Sequence, residues 1–201
     1  MKIGIVNYGM GNIQSLVGAL EYIGEKDIIY TNKYKELMSC DKLFLPGVGS
    51  FKEAMKQIKS NSLHKILLEF SDQKPILGIC LGMQLMGSLG YENGKSKGLG
   101  LVKGDVIKFK INRLKIPHVG FNQVNFDKSS KLFNGIKNNS DFYFTHSYHF
   151  VKNEDLVTST CKYEIQFNSS FEYLNIAGVQ FHPELSQTNG LRLLKNFIKL
   201  F

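Results

Sequence analysis

The segment Gly78-Ile79-Cys80-Leu81-Gly82 sets a cysteine between an apolar run and a helical pattern. A strand that turns sharply into a helix at such a point leaves its nucleophile exposed, and small neighbours on either side let the backbone pack closely. The helix beginning after Cys80 directs its positive end at the sulfur, which favours the reactive thiolate over the thiol. A second segment, Gln180-Phe181-His182-Pro183-Glu184, offers an imidazole followed two residues later by a carboxylate. The proline holds His182 extended, and in extended chain residues two apart face the same side. A carboxylate in that position fixes the imidazole tautomer and stabilises the imidazolium. Taken alone, each segment has a plainer reading, a buried core cysteine and an ordinary surface turn. Together they supply a nucleophile, a base and an orienting acid.

A third segment, Pro46-Gly47-Val48-Gly49, follows an apolar run. Glycines there expose backbone N–H groups to an anion, and with the Leu81 amide they could form an oxyanion hole. A plain tight turn is at least as good a reading of this segment by itself. Other candidates carry less. Gly9-x-Gly11 lacks the third glycine of a dinucleotide fingerprint, Gln14 standing in its place. Cys40 and Cys161 have no elbow around them and read as structural. His64 sits in a helical run beside lysine and is expected to face solvent. His118, His146 and His149 lie on β-rich segments without a metal-ligand pattern, so no metal is expected.

The elements that must position these residues alternate through the first half. Strands are expected over residues 2–7, 27–30, 42–45 and 76–79, and helices from about Asn12 to Gly24, from Phe51 to Phe70 and after Cys80. Such alternation predicts an α/β fold, a doubly wound and mostly parallel sheet with helices on both faces. Both the Pro46–Gly49 segment and Cys80 then fall at carboxyl ends of strands, where such sheets bind ligands. The second half changes to β-rich runs: DVIKFK, GFNQVNF, FYFTHSYHF, YEIQFN and NIAGVQF. These predict antiparallel segments added to the sheet or folded over it. An amphipathic helix from about Gly190 to Leu200 ends the chain. No repeat or linker interrupts it, so residues 1–201 read as one domain.

Composition narrows the classes. An apolar fraction of 43% supports a substantial core. No stretch approaches the roughly 18 unbroken apolar residues of a membrane span, and the N-terminus lacks the pattern of an export signal. Three scattered cysteines indicate reduced thiols and a cytoplasmic protein rather than disulfides or zinc. The net charge is +8, yet only Arg113 and Arg192 are arginine and the lysines are dispersed. That pattern reads as a solvated surface and not as a nucleic-acid interface.

The order of IVNYGMGNIQS, LPGVGSF, GICLGMQ, PHVGFNQV, FTHSYHF and GVQFHPE resembles the class I glutamine amidotransferases. Within them it is most similar to the glutaminase subunits of imidazole glycerol phosphate synthases, from residue 3 to about 198. The resemblance implies a flavodoxin-like sheet, no cofactor, and a triad of Cys80, His182 and Glu184 that hydrolyses L-glutamine to glutamate and ammonia. It implies that glutamine is held near Gly47 and Gln84 and by His146, Ser147 and Tyr148. The oxyanion hole would be Gly49 and Leu81, the Gly49 amide turning before it donates. It also implies a heterodimer, with Asn12, Phe121 and Asn122 toward a separate (β/α)₈ synthase subunit that makes imidazole glycerol phosphate and AICAR for histidine. A (β/α)₈ barrel needs about 250 residues of its own, so this chain cannot also contain it. The sequence departs from the family at Asn7, usually Asp; at Phe121, usually Trp; and at Leu185, usually Lys. Those changes leave the triad intact and open an alternative, a paralogous glutaminase serving a synthase that amidates a surface-glycan sugar.

Overall fold

The computed structural model describes every residue from Met1 to Phe201. The chain begins with β1 (Ile3–Val6), buried throughout, then α1 (Ile13–Tyr22) and β2 (Ile28–Thr31). A short α2 (Tyr34–Met38) precedes β3 (Lys42–Leu45). Helices α3 (Phe51–Ser60) and α4 (Leu63–Ser71) then lead to β4 (Ile76–Ile79). The single helix expected over 51–70 is thus two. Ser62 takes φ 57°, a left-handed conformation that a continuous right-handed helix does not accommodate.

After β4 come α5 (Leu81–Leu85) and the two-residue strands β5 (Leu89–Gly90) and β6 (Ser96–Lys97). Then follow β7 (Gly104–Lys108), β8 (His118–Phe126), β9 (Ser140–His146) and β10 (Tyr148–Lys152). The chain continues through β11 (Val157–Tyr163), β12 (Ile165–Tyr173) and β13 (Ile176–Val179). A 3₁₀ turn over Pro183–Leu185 and α6 (Gln187–Leu200) complete it.

All thirteen strands join one sheet, with the path β2-β1-β3-β4-β13-β12-β10-β7-β5-β6. The segment β2-β1-β3-β4-β13 is parallel throughout, as the alternation of strands and helices requires. Helices cover both of its faces. Phe51, Ala54, Ile58, Leu67 and Phe70 of α3 and α4 pack on one. Leu16 and Leu20 of α1, with Leu193, Leu194 and Phe197 of α6, pack on the other. Each such leucine contributes roughly 2 kcal/mol by leaving water.

The second half supplies the antiparallel additions, with three differences from the sequence expectation. FYFTHSYHF is two strands broken at Ser147: β9 pairs with β8, whereas β10 pairs with β7 and β12. YEIQFN straddles a hairpin, Glu164 turning at φ 60° between β11 and β12. NIAGVQF contributes β13, which is antiparallel to β12 but parallel to β4, so it completes the parallel core.

One buried polar pair ties the folded-over layer together. His118 and His146 stand opposite each other on β8 and β9, with Nδ1 of His118 3.1 Å from Nε2 of His146. His118 stacks on Phe144 and Tyr163 at ring separations of 4.8 and 4.0 Å. Burial pushes the His118 pKa down to about 4. Burial likewise pushes His146 down to about 3, against the opposing pull of the Tyr148 carbonyl. His149 is also buried and stacks on Phe109. His64 is half-buried rather than solvent-facing, its Nδ1 enclosed by the packing of α4.

Two outcomes follow for stability. An added Cβ at Gly82 would lie 1.7 Å from the Leu45 carbonyl oxygen, whereas at Gly18, mid-helix and exposed, it would meet nothing within 4 Å. Gly82→Ala is therefore expected to lose roughly 3 kcal/mol or more, and Gly18→Ala to gain about 0.5–1 kcal/mol; denaturant unfolding measures both. The second outcome concerns acid. The unfolded chain protonates both histidines near their ordinary value of about 6.5, while the folded chain keeps them neutral down to about 4 and 3. Their contribution is thus intact above about pH 6.5 and lost as pH falls toward 4, because the unfolded state binds more protons there. Thermal melts across that range should show a smaller drop for His118→Phe than for the unaltered protein.

Candidate active site

The parallel pairing of β4 with β13 is in register from Ile76↔Ile176 to Ile79↔Val179. It delivers Cys80 and Gln180 side by side at the carboxyl edge, with the Cys80 amide bonded to the Val179 carbonyl at 2.8 Å. Cys80 itself adopts φ 53°, ψ −109°, a strained conformation for a residue with a side chain and the kind that clusters at functional sites. Close packing enforces it. Gly82 lies against the Leu45 carbonyl and Gly78 against the Met83 amide, where a Cβ would come within 2.7 Å.

His182 is extended, at φ −98°, ψ 98°. The chain then enters the 3₁₀ turn, and this turn, not a continuing strand, brings Glu184 back to the ring. Nδ1 of His182 lies 2.8 Å from Oε1 of Glu184, and the two side chains are only 4% and 3% exposed. The His182 amide donates to the Tyr143 carbonyl at 2.8 Å. The Ser186 hydroxyl donates to the His182 carbonyl at 2.6 Å and accepts from the Tyr143 amide at 2.9 Å. Gly190 permits this packing, since a Cβ there would stand 1.8 Å from the Pro183 carbonyl.

Electrostatics joins the two halves. Burial opposes charge on His182, yet the neighbouring Cys80 sulfur and then Glu184 outweigh it and raise the His182 pKa to about 10. Nε2 of His182 has no hydrogen-bond partner of good geometry, and the Cys80 sulfur acts on the ring first by charge and then by a weaker hydrogen-bonding contact. The other two thiols differ. Burial drives Cys161 up to about 12 and also raises Cys40, so neither is activated.

A cavity of about 320 Å³ opens over the sulfur, lined by Val48, Gly49, Cys80, Leu81, Gln84, Glu92, Pro117, Thr145, His146, Ser147 and Tyr148. That suits one small polar ligand. Of the residues expected from sequence, Gln84, His146, Ser147, Tyr148, Gly49 and Leu81 all line it. Gly47 does not. It lies behind the wall, where a Cβ would meet the Tyr8 hydroxyl at 2.2 Å and Leu81 at 3.0 Å, so its place is in support of the elbow. Gly49 has φ +101°, and its amide donates to no other group of the protein. Leu81 opens α5, so its amide is among those a helix leaves free.

Asn12, Phe121 and Asn122 lie outside the cavity. Asn12 is half-buried at the start of α1. Phe121 is 51% exposed and meets Tyr143 edge-on at 5.5 Å. Asn122 reaches inward to His118. Sequence reading missed Pro117, Thr145 and Glu92 as lining residues, and of these Glu92 alone carries a charge. It follows β5, caps the Phe51 amide of α3 at 2.7 Å, and no local pattern marks it.

The model of the family described as glutamine amidotransferase class-I matches residues 4–200. The imidazole glycerol phosphate synthase subunit HisH 1 of Campylobacter jejuni (strain RM1221) is 46% identical over 201 residues, covering 98% of this chain and 100% of that protein. The subunit HisH of Methanocaldococcus jannaschii is 44% identical over 200 residues, covering 98% and 99%. Among solved structures, a glutamine amidotransferase superposes with a TM-score of 0.78 at 16% identity, covering 100% of this chain and 98% of that one, a likeness of fold. With a family model spanning almost its full length and relatives this similar, the chain belongs to the class I glutamine amidotransferases.

Proposed function

We propose that this chain is the glutaminase subunit of an imidazole glycerol phosphate synthase, with Cys80, His182 and Glu184 as its triad. The observation that carries the chemistry is the His182–Glu184 pair, held at 2.8 Å and coupled to the strained Cys80 under a ligand-sized cavity. The HisH relatives, alike over their full length, support the choice of synthase.

Glutamine enters the cavity with its side-chain amide over the sulfur. Cys80 attacks the amide carbon as the thiolate, its proton already held on His182. The Gly49 and Leu81 amides hold the tetrahedral oxyanion; losing one such donor typically costs ~10²–10³ in rate. His182 then protonates the departing nitrogen, and ammonia leaves a thioester on Cys80. Water activated by His182 cleaves that thioester, releasing glutamate and restoring the thiolate. Glu184 holds the imidazole throughout. Gln84, His146, Ser147 and Tyr148 orient the substrate.

Ammonia gains a proton in neutral water and ceases to be a nucleophile, so its acceptor must lie close and sheltered. A second subunit, a (β/α)₈ synthase, supplies that site, and the assembly is a cytoplasmic heterodimer. Its docking face includes Phe121 and Leu185, the latter 38% exposed, with Asn12 and Asn122 nearby. Both apolar side chains stand free where a partner could bury them.

The test mixes this chain with a histidine-pathway synthase subunit and its nucleotide. Glutamine-dependent formation of imidazole glycerol phosphate is expected, and no complex with no turnover would instead favour a different ammonia acceptor. Cys80→Ala should abolish glutamine use while ammonium salts still support synthesis. If synthesis from ammonium vanished as well, the role of Cys80 would be structural.

A further inference from the structure

One backbone carbonyl fixes the polarity of a buried chain of side chains that ends on the sulfur. The Tyr148 carbonyl can only accept. It accepts from Nε2 of Gln84 at 3.0 Å and faces Nδ1 of His146 at 2.8 Å, so Nδ1 carries the His146 proton. Neutral His146 then accepts at Nε2 from Nδ1 of His118, 3.1 Å away. His118 in turn accepts at Nε2 from the Asn122 amide at 3.4 Å, and that amide also donates to the Lys162 carbonyl at 3.1 Å. This arm pins the carbonyl from the β8 side.

The other arm runs to the nucleophile. Nε2 of Gln84 also donates to Oε1 of Gln180 at 2.9 Å. Both Gln84 amide hydrogens are therefore directed inward, which leaves its oxygen for the cavity it lines. Because the Gln180 oxygen is taken as acceptor, its Nε2 must face Cys80, and it does so at 3.7 Å from the sulfur. Gln180 is fully buried and is the one side chain that donates a hydrogen bond to this sulfur. The remaining polar contact of Cys80 is with the Thr145 carbonyl at 3.9 Å, to which only a thiol can donate. The protonated sulfur thus has an acceptor in Thr145, and the deprotonated sulfur has a donor in Gln180.

We propose that Gln180 is a positioning residue for the nucleophile, its amide N–H, aimed by Gln84 and the Tyr148 carbonyl, holding the Cys80 sulfur and stabilising its negative charge. This rests on the glutaminase reading given above. A hydrogen bond to a charged acceptor is stronger than one to a neutral acceptor, so this contact favours the anionic sulfur. The titratable groups around the sulfur are Tyr8 beyond β1, Glu92 after β5, His146 at the end of β9, Tyr148 at the start of β10, and His182 after β13 with Glu184 behind its ring.

Gln180→Met, similar in length and without polar atoms, removes the donor facing sulfur without adding charge. Gln180→Glu, measured beside it, keeps the acceptor that Gln84 needs but also sets a negative charge near the sulfur. Iodoacetamide alkylation of Cys80 in the assembled complex, followed across pH, reads the anionic sulfur without requiring turnover. In Gln180→Met, alkylation near neutral pH should fall about tenfold or more, with its profile displaced to higher pH. Glutamine turnover should show a similar fall in kcat with little change in KM, because Gln84 keeps its bond to the Tyr148 carbonyl. Synthesis from ammonium should persist. Should Gln180→Met fail to fold, Gln180→Leu, also neutral and without polar atoms, is measured the same way. An alkylation profile coincident with that of the unaltered enzyme overturns the proposal. If Cys80→Ala retained glutamine turnover, the glutaminase reading itself would fall, whatever Gln180 does.

Discussion

The site depends on the parallel pairing of two four-residue strands, β4 and β13. Their register sets Gly78 beside Gly178 and Ile79 beside Val179, joining segments separated by 100 positions in sequence. A slip of one residue would turn every side chain on β13 to the opposite face. Gln180 would then leave Cys80, and the His182 turn would start from the wrong side. Burial enforces the register, since every residue of both strands is buried and helices cover both faces. The chemistry is thus anchored in the most rigid part of the molecule, although the strained residue itself sits one step beyond the ladder.

That rigidity matters because the groups involved are expensive to bury. An isolated buried charge is strongly unfavourable, and a buried polar atom must find a partner. Here the charges are placed against one another: the imidazole faces a carboxylate on one nitrogen and a sulfur on the other side. Around them the amides of Gln84 and Gln180 and the imidazoles of His118 and His146 satisfy each other in one fixed direction. The two histidines are stacked, buried and neutral, so they act as dipoles and not as charges. Cys40 and Cys161 show the contrasting case. Burial is the largest influence on each thiol and keeps it protonated, against the pull of Lys2 and Lys74 at Cys40 and of the Lys162 backbone at Cys161.

Much of this was legible in sequence where the signal is local. The strands Lys42–Leu45 and Ile76–Ile79 end where their apolar runs end, and the glycines around Cys80 mark an elbow because only glycine fits against the Leu45 carbonyl at 82 and the Met83 amide at 78. What failed to show is what depends on distant partners. FYFTHSYHF reads as one strand, because nothing in its composition says that its halves pair with different neighbours. YEIQFN hides a turn at a glutamate, a residue with no special turn preference. His182 and Glu184 were linked by the logic of an extended strand, while a 3₁₀ turn performs that task. Glu92 enters the cavity on a hairpin of two-residue strands, too short to leave a periodic pattern. Gln180 could be read as a neighbour of the motif but not as a donor, since its direction is set by a carbonyl on another strand.

The two sides of the cavity are not equally constrained. The sulfur side is locked by strand register, by three close glycine contacts and by hydrogen bonds running inward to the Tyr148 carbonyl. The opposite side is the Val48–Gly49 peptide, where Val48 is 42% exposed and a Cβ added at Gly49 would meet only the end of the Met10 side chain. With φ at +101° and an amide donating to no protein group, Gly49 can rotate at little energetic cost, whereas a residue bearing a Cβ would be confined. On the reading proposed above, the nucleophile is held in place and the less constrained element is the donor that would meet the developing oxyanion. A change at this edge would then shift one peptide and leave the triad as it is.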